Sequence, residues 1–160
     1  PALWSDIFIQ NQHYMVQALR TYLAMLSHIR GELAQVPEGQ ALASKDETGI
    51  SATVLFPRIA ASTLIATVQM LERQSGQKLA RYSGAGFADV ACPASEAPEK
   101  DLEEISAHAP YVATLLEGYE RQLESIVGAI ESQQHKQLLD ILNNMHQANI
   151  QLRQRLGRPT

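Results

Sequence analysis

The chain has 160 residues, of which 45% are hydrophobic, enough for one domain of ordinary size, or slightly more, with a substantial core. A net charge of −4, with basic residues scattered along the sequence, argues against a nucleic-acid partner. Cys92 is the single cysteine, so an internal disulfide and a multi-cysteine metal site are excluded, and we expect a reducing, cytoplasmic compartment. Polar residues interrupt every apolar run before the roughly 18 to 20 residues of a membrane span, and no charged-then-apolar leader opens the sequence, so we expect no membrane partner.

The first half of the sequence predicts two long helices. Apolar residues spaced 4,3,4,3,4 from Met15 to Leu33 form one seam on the first helix. Residues 36–51, which contain Pro, Gly, Ser and Thr, are typical of a linker. In the second helix, over residues 57–74, apolar side chains lie nearly all round, so we expect it to be the most buried element. Residues 75–97 predict a long connection with a short helical piece.

The second half predicts further helices of the same kind. One begins near Pro98, and Pro110 should bend or interrupt it. Beyond that proline the 4,3,4,3,4 spacing returns from Val112 to Ile130. The last helix, residues 134–155, carries a further seam of Leu138, Leu142, Met145, Asn149, Leu152 and Leu156. With no segment typical of a strand, the sequence predicts an all-α bundle of long antiparallel helices whose seams a second subunit covers.

The first helix is repeated later in the chain. At an offset of 97 residues, seven identities fall within about 33 positions, against roughly two expected from average composition. They pair Pro1 with Pro98, Tyr14 with Tyr111, Leu19 with Leu116, Tyr22 with Tyr119, Leu26 with Leu123, Ile29 with Ile126 and Gly31 with Gly128. Two helices in one heptad register share leucines by chance, but this does not explain the proline, tyrosine and glycine matches. We therefore interpret the two stretches as copies of one helical unit.

A duplication divides the chain unequally. We expect residues 1–36 to be the C-terminal helix of an incomplete helical domain, residues 37–51 a linker, and residues 52–160 a complete second domain. The sequence would then enter the first copy halfway, which would explain why it opens on a helix-starting proline without a capping residue before it.

Three stretches carry a resemblance to a known family: LFPRIAASTLI, SGAGFADVACPASEAPEKDLEEI and PALWSDIFIQN. They resemble the C-terminal helical dimerisation domain of the prephenate and arogenate dehydrogenases. That family carries a helix of the type SHxPHxxAxxLV and, later, GFRDxTRIAxSDPxLWxDI. Here LFPRIAASTLI is similar to the first motif, and SGAGFADVACPASEAPEKDLEEI is similar to the second in outline. PALWSDIFIQN resembles the end of the second motif from a preceding copy.

The departures from these motifs concern substrate binding. Leu55 and Arg58 stand where the family has its two histidines, and Ala88 and Cys92 stand where it has two arginines. In the family these polar groups help to hold a dicarboxylate, for which charge-assisted hydrogen bonds are well suited. The resemblance therefore implies that the complete copy is degenerate as a substrate site.

Three residues remain candidates for a position beside the substrate. Arg58 could still reach an anion, or it is a solvated surface arginine. Trp4 falls on the family's LW position, near a substrate across the dimer, or it anchors the start of the helix. Asn11 also falls on a family position.

The resemblance implies that the parent chain oxidises prephenate or arogenate with NAD or NADP, by hydride transfer coupled to decarboxylation, in tyrosine biosynthesis. The cofactor would be held by a Rossmann domain of the same parent chain, so this fragment is expected to form a homodimer and to be inactive alone. The alternative is a non-enzymatic helical interaction or regulatory module. A third possibility is a sensor-type bundle with a ligand between its helices.

No catalytic or metal-binding motif emerges from the remaining residues. The segment GAGFAD lacks the third glycine and the preceding strand of a dinucleotide-binding fingerprint, and we interpret it as a turn. No two histidines lie three or four residues apart, the spacing at which neighbours on a helix face share a metal. We therefore expect no catalytic, cofactor or metal residues in this part of the parent chain.

Overall fold

The computed structural model describes residues 2–36, 49–82, 84–91 and 98–157, and within these the side chains of residues 2–10, 80, 82 and 98 are left out of the description. Six α-helices occur in this part of the chain: α1 (Ala2–Leu33), α2 (Phe56–Ser75), α3 (Ala85–Ala91), α4 (Pro98–Ala107), α5 (Ala109–Glu131) and α6 (His135–Arg155). A π-helical segment, Ser51–Leu55, leads into α2, and a 3-10 turn, Leu79–Tyr82, lies between α2 and α3. The described residues contain no strand, and the predicted all-α class is confirmed.

The core is built on an antiparallel pair of helices, α1 and α5. Gln12, near the start of α1, donates to the carbonyl of Ile130 near the end of α5, whereas Ser27 and Arg30 reach Glu120 in the middle of α5. Leu26, Val112 and Leu116 are fully buried between these helices and their neighbours. Each leucine buried in this way contributes about 1.5–3 kcal/mol to folding, so the seam that the spacing predicts supplies much of the core.

An aromatic cluster ties α2 to this pair. The rings of Tyr22 and Phe56 both meet the ring of Tyr119 edge to face, at centroid distances of 6.3 and 5.3 Å. The Tyr22 hydroxyl donates to the carbonyl of Ala60 in α2, at 3.0 Å. Tyr22 and Tyr119 are partners in the offset of 97, so the tyrosines matched in sequence meet where the two helices pack.

The helix α2 departs from expectation in two ways. Residues 49–55 are helical, although the sequence assigned residues up to 51 to a linker. Moreover, α2 is not the most buried element: it buries Ile59, Ala61, Thr63 and Thr67, whereas α5 buries eight residues. The reason is that α2 packs mainly on α1 and the π segment, and its contacts with α3, α5 and the 3-10 turn are fewer, so many of its apolar residues stay half-buried. Apolar composition all round a helix shows that it avoids water, not which neighbour covers it.

The predicted breaks between helices lie where proline and turn residues place them. His108 separates α4 from α5, two residues before Pro110. The segment GAGFAD is not a turn, however: the carbonyl of Gly84 accepts from the amides of Phe87 and Ala88 and starts α3. Gly76 ends α2 in the left-handed conformation, with φ of 68°, which glycine adopts without strain.

The described part of α1 shares one core with α2 and α5. The domain boundaries predicted from the duplication, at residues 36 and 51, stay a prediction. Residues 37–48 of the predicted linker lie outside the described residues, and so do Pro1 and residues 158–160.

The helical stretch Ser51–Ser75 is long and apolar enough to cross a membrane, judged by length and composition alone. Core helices of soluble domains meet the same criteria, and here Arg58 lies in ion pairs within the stretch while Ile59 and Thr63 are buried against neighbouring helices. The expectation that the chain has no membrane partner stays a prediction.

The Tyr22 environment predicts a loss of stability at alkaline pH. Burial, and to a lesser extent the neighbouring Tyr119, raise the pKa of Tyr22 above its ordinary value. Since the folded protein holds the proton more tightly than the unfolded chain, this stability is fully present below about pH 10 and is lost as the pH rises beyond it. We expect the free energy of unfolding, measured with urea at fixed protein concentration, to fall less steeply between pH 9 and 11 in Tyr22→Phe than in wild type. Tyr14→Phe, at a tyrosine that is 70% exposed, should keep the wild-type slope; equal slopes in all three proteins would contradict the prediction.

Candidate functional site

An ion-pair cluster joins the start of α2 to α4. Arg58 Nη1 lies 2.9 Å from Asp101 Oδ1 and 3.5 Å from Glu104 Oε2. Arg58 follows Pro57 in the first turn of α2, and Asp101 lies in the first turn of α4, so both side chains project from helix starts. Asp101 is 7% exposed although it is charged, which makes Arg58 its principal compensation. Around the pair lies a cavity of about 310 Å³ with an otherwise mostly apolar lining of Ile29, Ile59, Ser62, Thr63, Leu102 and Ile105.

The charges in this cluster disfavour a bound anion. One guanidinium faces two carboxylates, and the second of these, Glu104, also lies 3.7 Å from Lys100. An incoming carboxylate would have to displace Asp101 and leave it buried without a partner, which is costly. Arg58 is half-buried, and its Nη1 group already donates to both carboxylates of this chain. Its place beside a substrate stays a prediction.

The other positions where the resemblance placed substrate groups have no polar side chain among the described residues. Leu55 is fully buried and belongs to the core cluster. Ala88 lies exposed on α3 and carries only a methyl group. Cys92 lies outside the described residues.

The remaining candidates are not brought together with Arg58. The backbone of Trp4 is part of α1, but its side chain lies outside the described residues. Asn11 is exposed and lines a groove of about 600 Å³ between the first half of α1 and the end of α2. Arg58 lines a different cavity, so these two residues do not share a site within this chain.

A larger groove that the sequence did not reveal runs along α1. Its volume is about 760 Å³, and it is lined mainly by α1, with Met70 of α2 and Glu131 of α5. At its edge Arg20 forms a two-pronged ion pair with Glu131, with Nε and Nη2 at 2.9 and 2.6 Å from the carboxylate oxygens. His13 and His28 also line it. The 4,3 spacing identifies one seam on α1, whereas this groove depends on which neighbours leave the other side of the helix open.

No metal centre is formed by the part of the chain that the structure describes. No three His, Cys, Asp or Glu side chains come close enough there to hold an ion. The chemistry of the described surface is therefore that of apolar grooves with a few compensated charges.

Comparison with known families identifies the chain. A model of the family described as "Prephenate dehydrogenase, dimerization domain" matches residues 42–144, which is well over half of the sequence. The chain belongs to this family. Comparisons with curated proteins and with solved structures return no match. Within the prephenate dehydrogenase family, the matched segment is the domain that joins two subunits, and it includes α2 to α5 and the first half of α6.

Removal of the Arg58 guanidinium should destabilise the fold. Arg58→Gln leaves Asp101 buried beside Glu104 without a cation, so we expect a loss of about 1–3 kcal/mol in the free energy of unfolding. Arg121→Gln is the matched control, because Arg121 pairs with Glu117 at 2.7 Å while both side chains are more than half exposed. We expect that control to change stability by less than about 1 kcal/mol. Chemical denaturation followed by circular dichroism measures both variants, and an Arg58→Gln effect no larger than the control would show that the cluster is not structural.

Proposed function

We propose that this chain is the homodimerisation part of a prephenate or arogenate dehydrogenase-like polypeptide. The observation that carries the proposal is the family match over residues 42–144. It is supported by the apolar surface that the single chain leaves uncovered, including Leu142 and Leu152 of α6, each more than half exposed. Large apolar side chains collected on one face are typical of protein interfaces.

We further propose that the complete copy does not bind substrate. Among the described positions, one substrate residue is replaced by a core leucine, Leu55, one by an exposed alanine, Ala88, and one by an arginine that two carboxylates already hold. Two of them carry no cationic donor, and the positive charge of the third is already compensated by carboxylates of the same chain.

In the parent polypeptide, the chemistry would be carried out elsewhere. We propose that a Rossmann domain of the same chain binds NAD or NADP and that the enzyme converts prephenate or arogenate by oxidative decarboxylation, in the tyrosine branch of aromatic amino acid biosynthesis. The single cysteine agrees with a cytoplasmic location. Trp4 and Asn11, which belong to the incomplete copy, remain the candidates for contact with substrate.

A purely structural or regulatory module is the second candidate. The compensated Arg58 cluster favours it, because a domain that no longer holds substrate still packs and dimerises. The coding sequence upstream of Pro1 separates the two: a glycine-rich βαβ segment and a catalytic histidine there would identify a dehydrogenase, and their absence would identify the module.

Two measurements on the purified chain test the proposal. Sedimentation equilibrium across the micromolar range should give the mass of a dimer, whereas a monomer throughout would refute a dimerisation role. Isothermal titration with prephenate and with NAD should give no saturable heat, with a complete prephenate dehydrogenase as positive control. Saturable prephenate binding would show that the copy is not degenerate.

A further inference from the structure

The last helix is covered only sparsely by the part of the chain that the structure describes: it contacts α5 and stays open to solvent along most of its length. α6 contains 21 residues, and none of them is buried. Leu139, Leu142, Leu152 and Leu156 are each between 51 and 59% exposed, and Met145 is 40% exposed. A helix of this length gains most of its stability in a protein from packing an apolar face, so a free α6 would be marginal in water. Something must cover this face.

Most of the exposed residues belong to one heptad seam, whose first member, Leu138, is half-buried. Leu139 lies about 100° round the helix from Leu138 and is not part of it. Leu138, Leu142, Met145, Asn149, Leu152 and Leu156 follow the 4,3,4,3,4 spacing of coiled-coil positions, which places them along one side of a helix about 32 Å long. The family match ends at residue 144, so half of this seam lies beyond the part of the chain that the family description covers.

We propose that α6 pairs with α6 of a second copy, antiparallel, about a two-fold axis that crosses the seam at the level of Gln147, midway between Met145 and Asn149. This inference rests on the proposed dimerisation function and specifies its surface. With the axis there, Leu138 meets Leu156 of the second copy, Leu142 meets Leu152, and Met145 meets Asn149. The outer layers each join two leucines, and the layers next to the axis join Met145 to Asn149. A polar residue such as Asn149 within an apolar seam fixes the register of a coiled coil. The amide oxygen of Asn149 already accepts from Arg153 Nε at 3.1 Å, which lowers the cost of covering it.

Charge favours the antiparallel direction over the parallel one. The last turn of α6 holds Arg153 and Arg155, whereas the start of the helix holds Lys136 and Asp140, whose charges cancel. A parallel pair would collect four arginines at one end. The antiparallel pair separates them and leaves two at each end.

The connection to the core also favours that direction. Only Ser132, Gln133 and Gln134 separate α5 from α6. A parallel pair would therefore bring two α1–α5 cores to the same end of the coil, side by side. The antiparallel pair places them at opposite ends, about 32 Å apart along the axis.

The size of the contact predicts its strength. A strip about 32 Å long and roughly 10 Å wide on each copy is smaller than the ~800 Å² per partner of a standard stable interface. We therefore expect an interface that dissociates on dilution unless other surfaces extend it, and the concentration dependence of the mass reports this directly.

Cysteine cross-linking tests the pairing and its direction. In a Cys92→Ser background, the double variant Leu142→Cys/Leu152→Cys places thiols in the same layer of an antiparallel pair, and a short bis-thiol reagent such as dibromobimane should link most chains into covalent dimers. Within one chain these residues are ten positions, or about 15 Å, apart, so the reagent cannot link them internally. The control Asp140→Cys/Gln154→Cys lies at the same level on the opposite side of the helix and should remain unlinked.

The single variant Leu142→Cys distinguishes the two directions. Its thiols are about 15 Å apart in the antiparallel pair and adjacent in a parallel one. Cross-linked dimers from this variant alone would overturn the proposed direction.

A charge substitution tests the seam independently of cross-linking. Leu142→Glu buries two carboxylates per dimer, so we expect the dimer dissociation constant to rise by roughly a hundredfold or more. Gln147→Glu, on the outer side of the same helix, should leave it within a few-fold of wild type. Leu142 is half exposed in the single chain, so both variants should keep the wild-type circular dichroism spectrum.

The outcomes separate this inference from the proposed function. A wild-type chain that is monomeric refutes both. A wild-type dimer that Leu142→Glu leaves intact, and that the double cysteine variant does not link, overturns the α6 pairing while the dimerisation role stands.

Discussion

The packing of α1 against α5 is the constraint on which the rest of the structure depends. Fully buried Leu26, Val112 and Leu116 lie at its centre, and the aromatic cluster of Tyr22, Phe56 and Tyr119 brings α2 onto it. One charged residue, Glu120, is buried in this contact at 5% exposure, and it accepts from Ser27 and Arg30 of α1. A buried carboxylate without these partners would be strongly unfavourable. Any other register of α1 against α5 would separate Glu120 from Ser27 and Arg30 and would therefore lower the free energy of unfolding. The apolar seams supply the stability, and the buried carboxylate selects the alignment.

The helices and most of their ends follow from the sequence because their causes are local. Seams spaced 4,3 define one face of a helix, and Pro110 and Gly76 act on their own neighbours. The failures concern relations between elements. The glycines of GAGFAD predict a turn, yet the Gly84 carbonyl accepts the first hydrogen bonds of α3. The apolar composition of α2 predicts the most buried helix, yet α5 buries more residues. Nothing in periodicity relates Arg58 to Asp101, which are 43 residues apart and meet only because α4 packs beside the start of α2.

The same distinction explains what could be known of the site. Residue identity alone shows that Leu55 and Ala88 cannot bind a carboxylate, whatever the fold. The fate of Arg58 depends on its neighbours: the residue type that binds carboxylates best is present, but the chain supplies the carboxylates itself. This internal compensation keeps a cation at the α2–α4 contact, where it balances the buried Asp101. On our proposal that the copy is degenerate, the packing around the site would persist without substrate binding.

The duplication in sequence and the unpaired last helix concern the same physical problem. A helix with one apolar seam needs one neighbour. In this chain the seam of α1 is covered by that of α5, its match at an offset of 97 residues, whereas most of the α6 seam stays exposed, with Leu142, Leu152 and Leu156 each more than half exposed. Two apolar seams of similar register can bury each other when both lie in one chain, as those of α1 and α5 do. A single seam that is left over is satisfied by its own copy in a second chain, because two-fold symmetry brings every seam position to a partner without requiring a new sequence. The odd number of seams, rather than the total apolar content of the chain, is therefore the physical reason to expect a dimer.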